Sequence, residues 1–289
     1  MRRIIAGIAV AAVAVPLGAA AATAGGQTQS AAACTPATLP VKTADKLTIG
    51  TDNPAFTPWF GGGEKNPPWK INDPSTGKGY ESAVAYQVAR RLGFRPSQVT
   101  WTVVPFNRSF APGDKPFDLF LNQVSITPQR ARNVAFSSSY YNVNQAVVAL
   151  KGKPITKAKS IAALRPFKLG APIGTTSLDV ITGRVRPDQD PAVYDTLNDG
   201  VTALKNGQID GLVVDLPTSY YIRDAQVENA VIVGQFAPVG KPEGFGIVMQ
   251  KGSGLASCVT RAVNTLRANG TLARLEKQWL AGPGAPLLK

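Results

Sequence analysis

Between Leu47 and Leu280, short runs rich in Val, Ile and Phe alternate with stretches whose apolar residues recur every three or four positions. No other feature of the sequence constrains its fold as much. Strand patterns fall at 46–50, 100–104, 117–121, 146–150, 167–171, 209–214, 231–235 and 246–250, and helix patterns at 177–184, 201–206, 218–225, 255–267 and 271–280. Strands and helices in alternation form α/β layers, with largely parallel sheets flanked by helices. An earlier helix carries Val84, Val88 and Leu92 four residues apart, with Ser82 as its expected N-cap and Gly93 at its C-terminus. In the late helix Leu255, Val259, Ala262, Val263 and Leu266 form an apolar stripe bordered by Cys258. A chain of 289 residues exceeds the usual span of one hydrophobic core, so two lobes are expected.

A Pro- and Gly-rich stretch from 53 to 78 interrupts this order and carries Phe56, Trp59, Phe60 and Trp69. Loops of that length are functional or disordered, and four aromatics argue against disorder. Phe60 and Trp69 read equally well as a lid or as surface packing.

The first residues, Met1-Arg2-Arg3, lead into an Ala-, Val- and Ile-rich run that ends in Ala22-Thr23-Ala24, a small-x-small cleavage pattern. An export signal spanning 1–24 is expected. A membrane anchor fits less well, because the run contains Pro16 and Gly18 and ends in Gly25-Gly26-Gln27 without a basic flank. No later segment is long and apolar enough to span a bilayer, so the exported product is expected to be soluble or lipid-tethered, in the periplasm or the extracellular cell envelope. Cys34 and Cys258 would then make one disulfide in an oxidising compartment. The alternative makes Cys34 a lipoprotein cysteine, although it lacks the Leu usual three residues before it.

Composition removes several chemistries. The chain has no His, which excludes Ser-His-Asp and Cys-His relays and imidazole zinc sites; neither a metal nor a cofactor is expected. Without Arg2 and Arg3, 29 basic residues against 18 acidic ones leave a net charge of +11. The Lys and Arg are scattered singly, with no basic stripe interleaved with aromatics, so nucleic acid is not an expected partner. Affinity for anionic envelope polymers or steering of anionic ligands accounts for the excess, which tilts the expected ligand toward acidic or neutral polar solutes.

Three stretches carry a more specific message: Asp118-Leu119-Phe120-Leu121-Asn122-Gln123-Val124-Ser125-Ile126-Thr127-Pro128-Gln129-Arg130, Gly174-Thr175-Thr176-Ser177 and Ile209-Asp210-Gly211-Leu212-Val213-Val214-Asp215. In this order, with Val134-Ala135-Phe136-Ser137, Phe245-Gly246-Ile247 and Ala268-Asn269-Gly270-Thr271-Leu272 around them, they resemble the signature of the family 3 extracellular solute-binding proteins. These are the polar-amino-acid receptors of ABC importers. The resemblance runs from about 47 to 280. It implies a two-lobe periplasmic-binding-protein fold of type II. Lobe one would hold 47–142 plus 245–280 after an extension at 25–46, lobe two would hold 147–239, and the crossovers 143–146 and 240–244 would be hinges. It also implies a monomer that hands a small polar amino acid to an ABC permease complex, with no catalysed step.

An α-amino acid offers a carboxylate and an ammonium on one carbon. A planar guanidinium grips the first through two parallel hydrogen bonds, which suits Arg130. The resemblance adds Ser125, Thr176 and Thr175 on the carboxylate, Asp215 and the backbone near Gln123 on the ammonium, Phe56 and Phe106 as packing walls, and Asp52 toward the ligand side chain. Taken alone, Thr175-Thr176 before a helix is usually only a cap. Asp210 is read as structural, since it lies an odd number of residues from Asp215 on the same strand. Bulky Asn122-Gln123 and Pro172 depart from the common pattern and argue for an altered pocket. A ligand sensor acting through a partner protein would use the same site. Exported cyclohexadienyl dehydratases share the resemblance, and such an enzyme would draw its acid from Asp52, Glu81 or Glu243.

Overall fold

The computed structural model describes residues 34–280, 282 and 284–289; the expected export signal lies outside them. The chain lays down strands β1 (Leu47–Thr51), β2 (Val99–Val103), β3 (Leu119–Phe120), β4 (Val134–Phe136), β5 (Tyr141–Val143), β6 (Gln145–Leu150), β7 (Leu169–Pro172), β8 (Ala192–Tyr194), β9 (Gly211–Asp215), β10 (Ala230–Phe236), β11 (Glu243–Phe245), β12 (Val248–Gln250) and β13 (Leu287–Leu288). The α-helices are α1 (Tyr80–Arg91), α2 (Phe106–Ser109), α3 (Pro128–Ala131), α4 (Thr176–Val180), α5 (Leu197–Lys205), α6 (Leu216–Tyr221), α7 (Ala256–Ala268) and α8 (Thr271–Trp279).

Two larger sheets result, in the orders β2-β1-β3-β12-β4 and β13-β10-β6-β9-β7-β8, joined by a ribbon of β5 against β11. Parallel pairing links β1 to β2 and β3, and β7 to β8 and β9, as the alternating pattern predicts. Antiparallel pairing enters at β12 and β6. Both strands continue directly from the ribbon, so they run into their sheets without a crossover helix to turn them parallel.

The tail was not anticipated. Beyond 280 the chain returns to the second sheet, where Leu287 and Leu288 pair with Gln235 and Phe236. Leu288 is buried in that lobe's core, and the Lys289 carbonyl accepts from Ile161 N. A two-residue strand carries no periodicity of its own, which is why sequence patterning passes over it.

Helix α1 buries Val84 and Val88, and Leu92 caps it; the stripe on α7 buries Leu255, Val259, Ala262, Val263 and Leu266. Its start corrects the expected N-cap: Gly79 (φ 88°) caps α1, and Ser82 lies buried in the first turn, donating to the Pro74 carbonyl at 2.6 Å. A Cβ at Gly79 would lie 2.4 Å from Phe60 Cα, so the backbone approach itself selects glycine there. The expected helices at 177–184 and 218–225 are each a short α-helix, α4 and α6, followed by a π turn at Ile181–Val185 and Ile222–Gln226.

Phe60 and Trp69 are neither lid nor surface. Both are buried, as is Trp59, whose ring packs edge-on against Tyr80, Tyr141 and Phe245 at 6.1, 5.6 and 5.6 Å. The loop 53–78 thus thickens the first lobe's core beside the ribbon. Cys34 and Cys258 are disulfide-bonded, tying the N-terminal extension to α7. A sulfur so bonded leaves no thiol for a thioether-linked lipid, which removes the lipoprotein alternative for Cys34.

Candidate functional site

A cavity of about 370 Å³ opens between the two large sheets. Asp52, Phe56, Phe106, Gln123, Ser125 and Arg130 line it from the first sheet's side, and Thr175, Thr176 and Asp215 from the second's. All nine ligand-contact residues expected from sequence therefore meet in one cleft, brought there by the ends of β1, β7 and β9 and the starts of α2, α3 and α4.

Arg130 is held by local chemistry. Thr127 caps α3 and accepts from Arg130 N at 3.1 Å, and Pro128 fixes the first helical position. The buried guanidinium lies over the Phe110 and Phe106 rings, 4.4 and 5.5 Å from their centroids. It donates to the Ser125 carbonyl at 2.9 Å and, across the cleft, to the Gly174 carbonyl at 2.8 Å. Gly174 holds a left-handed φ of 72°, and a Cβ there would stand 2.7 Å from Asn107 Oδ1. Burial lowers the pKa of Arg130 from the usual guanidinium value, while Glu243, Asp179 and Asp215 act in the opposite sense.

On the facing side Asp215 ends β9 and caps α6 through its backbone. One Asp215 oxygen accepts from Gln145 Nε2 at 2.6 Å. Ser177 Oγ donates to the other end of that amide at 2.6 Å, which aims the Gln145 NH₂ at the carboxylates. Burial and the nearby Glu243 raise the Asp215 pKa well above the usual carboxylate range. Asp52 accepts from the backbone N of Asn53 and Phe106 at 2.7 and 3.1 Å, and burial raises its pKa as well.

Thr175 spends its hydroxyl locally: it accepts from Leu178 N and donates to the Pro172 carbonyl. Thr176 instead turns its hydroxyl to Glu243, at 2.6 Å. Glu243, on the ribbon, also accepts from Ser125 Oγ, and its second oxygen accepts from Gln145 Nε2 at 3.2 Å. Sequence reading did not assign Gln145 to the site, and it offered Glu243 only as a spare acid for an enzyme. Both sit in the expected hinge segments, and only the antiparallel pairing of the ribbon brings them under Ser125 and Thr176.

Gln123 adopts a left-handed φ of 50°, unfavourable for a residue with a Cβ. Its backbone N donates to Glu81 Oε1 at 2.6 Å, its side-chain amide to Glu81 Oε2, and Tyr140 OH donates to the same carboxylate. Fully buried Glu81 is pushed up to about 7 by desolvation, against those three donors. Between the unfolded value of 4.5 and about 7, the folded state keeps a proton that the unfolded state has released. Stability therefore falls as pH rises through that window and levels off above it. Urea melts from about pH 4 to about pH 8 are expected to show this slope. The slope should flatten in Glu81→Gln, with the residue left by Asp52, Asp118, Asp215 and Glu276, whose pKa values burial also raises. An identical slope in both proteins would refute the assignment to Glu81.

Aromatic contacts and one further bond close the back of the cleft. Trp59 Nε1 donates to Thr218 Oγ1 on α6 at 3.1 Å, and the Phe56 and Tyr221 rings lie 6.3 Å apart. No metal-ligating cluster of acidic or Cys side chains occurs among the described residues.

Comparison with known proteins gives this cleft a family. Over 217 residues the chain is 26% identical to the ABC transporter glutamine-binding protein GlnH of Bacillus subtilis (strain 168), covering 73% of this chain and 76% of that one. An ancestral arginine-binding protein bound to glutamine superposes with a TM-score of 0.66 at 24% identity, over 83% of this chain and all of that one. The ancestral amino acid-binding protein AncCDT-1, a precursor of cyclohexadienyl dehydratase, does so equally well, with a TM-score of 0.66 at 23% identity over 82% and 96% of the two chains. Residues 60–282 match the model of the bacterial extracellular solute-binding proteins, family 3, and the chain belongs to that family.

Proposed function

We propose that the protein captures a small polar amino acid between its lobes outside the cytoplasm and, as a monomer, delivers it to an ABC permease complex. One observation carries this reading: Arg130 and Asp215, of opposite charge and from opposite sides, line a single cavity sized for a small solute. The ligand carboxylate would take the free N-H groups of Arg130, and its ammonium would meet Asp215. Phe56 and Phe106 would pack on its carbon chain, with Asp52 toward its side chain. The names of the relatives, which specify glutamine and amino-acid binding, support the ligand class.

Residues 47–142 with 245–280 would move as one lobe and 147–239 as the other, pivoting on the ribbon at 143–146 and 240–244. A ligand that touches both lobes stabilises the closed arrangement only by contacts the open one lacks. A thermal-shift panel of the twenty amino acids on the protein with its disulfide intact tests the proposal. A ligand at a hundred times its dissociation constant adds about 2.7 kcal/mol to stability. A clear shift with one class of amino acid is the expected result, and the absence of any shift would remove the amino-acid reading. Prephenate belongs in the same panel, because its conversion to phenylpyruvate would replace transport with catalysis.

A further inference from the structure

We propose that Glu243 is a specificity determinant, a resident carboxylate that makes the cleft select ligands of net positive charge over zwitterionic or acidic ones. The inference rests on the amino-acid-binding reading and narrows its ligand. Glu243 is fixed by the ribbon, where it pairs with Val143 between the two sheets. Its carboxylate accepts from Ser125 Oγ on one side of the cleft and Thr176 Oγ1 on the other. Each hydroxyl has one O-H to give. While both serve Glu243, neither can donate to a ligand carboxylate, although both were expected to do so from sequence.

The charge balance points the same way. Gln145 Nε2 is shared between Glu243 and Asp215, so two carboxylates converge on one amide. Among the described residues lining the cavity, Arg130 is the one cation, against Asp52, Asp195 and Asp215. Among the described residues its guanidinium makes no ion pair; it donates to two backbone carbonyls. A zwitterion entering this cleft leaves its negative excess in place, and a second carboxylate deepens it. A ligand with a further ammonium or guanidinium cancels it, with Asp52 available on the far wall. The chain's overall excess of basic residues, which tilts expectation toward acidic or neutral polar ligands, lies outside the cavity lining, where Arg130 is the one cation among the described residues.

Isothermal titration with L-arginine, L-glutamine and L-glutamate, on wild type and on Glu243→Gln, tests this. Wild type is expected to bind arginine at least about tenfold more tightly than glutamine, with glutamate weakest, since one buried charge at close range is worth more than that factor. Glu243→Gln is expected to narrow the arginine preference and to strengthen glutamine and glutamate. Should the variant not fold, the wild-type order alone decides. Glutamine or glutamate binding wild type as tightly as arginine would overturn the role of Glu243 and leave the amino-acid reading intact. Binding of none of the three, together with a silent thermal-shift panel, would overturn both.

Discussion

Replacing Arg130 by Ala is expected to weaken ligand binding by about 2 to 5 kcal/mol, the cost of leaving a buried charged partner unpaired. That is roughly thirtyfold to several-thousandfold in dissociation constant. The loss has two sources in this cleft. The proposed ligand carboxylate would lose its guanidinium, and the two sides of the cleft would lose the bond from Arg130 to the Gly174 carbonyl. Arg130→Lys separates them: it keeps the charge but not the fork, so it should recover only part of the affinity. Titration calorimetry on both variants gives the answer, and wild-type affinity in Arg130→Ala would take the residue out of the site.

The second large effect falls on stability. Cys34 and Cys258 are 224 residues apart in sequence, so their bond closes nearly the whole described chain into one loop. Cross-links of that span restrict the unfolded ensemble strongly, and their removal typically costs about 2 to 5 kcal/mol. The double variant Cys34→Ser with Cys258→Ser should unfold at correspondingly lower urea, while ligand affinity holds, because α7 contributes no residue to the cavity. Coincident melts for the oxidised protein and the double variant would show that the bond adds nothing to folding.

Much of this molecule is legible in its residues. The four-residue spacing of Val84, Val88 and Leu92 and the stripe on α7 identify buried faces because helix periodicity is a local property. Ser125, Arg130, Thr176 and Asp215 are found because their types, order and setting resemble a known signature. What escapes is non-local. Ser82 reads as a cap until Gly79 is seen to be forced by the backbone of Phe60. Phe60 and Trp69 read as lid or surface packing because nothing nearby in sequence announces the first lobe's core. Gln145 and Glu243 stand 98 residues apart and become partners only through the ribbon. Both belong to segments that sequence marks as connectors, which is where a pairing of distant chemistry is hardest to read.

The returning tail bears on how far such a cleft can gape. The two-stranded ribbon carries the chain between the proposed lobes twice. Here the chain passes between lobes a third time, from the buried Leu280 beside α8 to Pro286, whose carbonyl accepts from Gln235 N. The six residue steps between those points reach roughly 20 Å at full extension. Gly282 already lies so close to Tyr220 that a Cβ there would stand 2.5 Å from its ring. As long as β13 stays paired, that reach bounds how far Leu280 and Pro286 can separate when the proposed lobes part for an arriving solute.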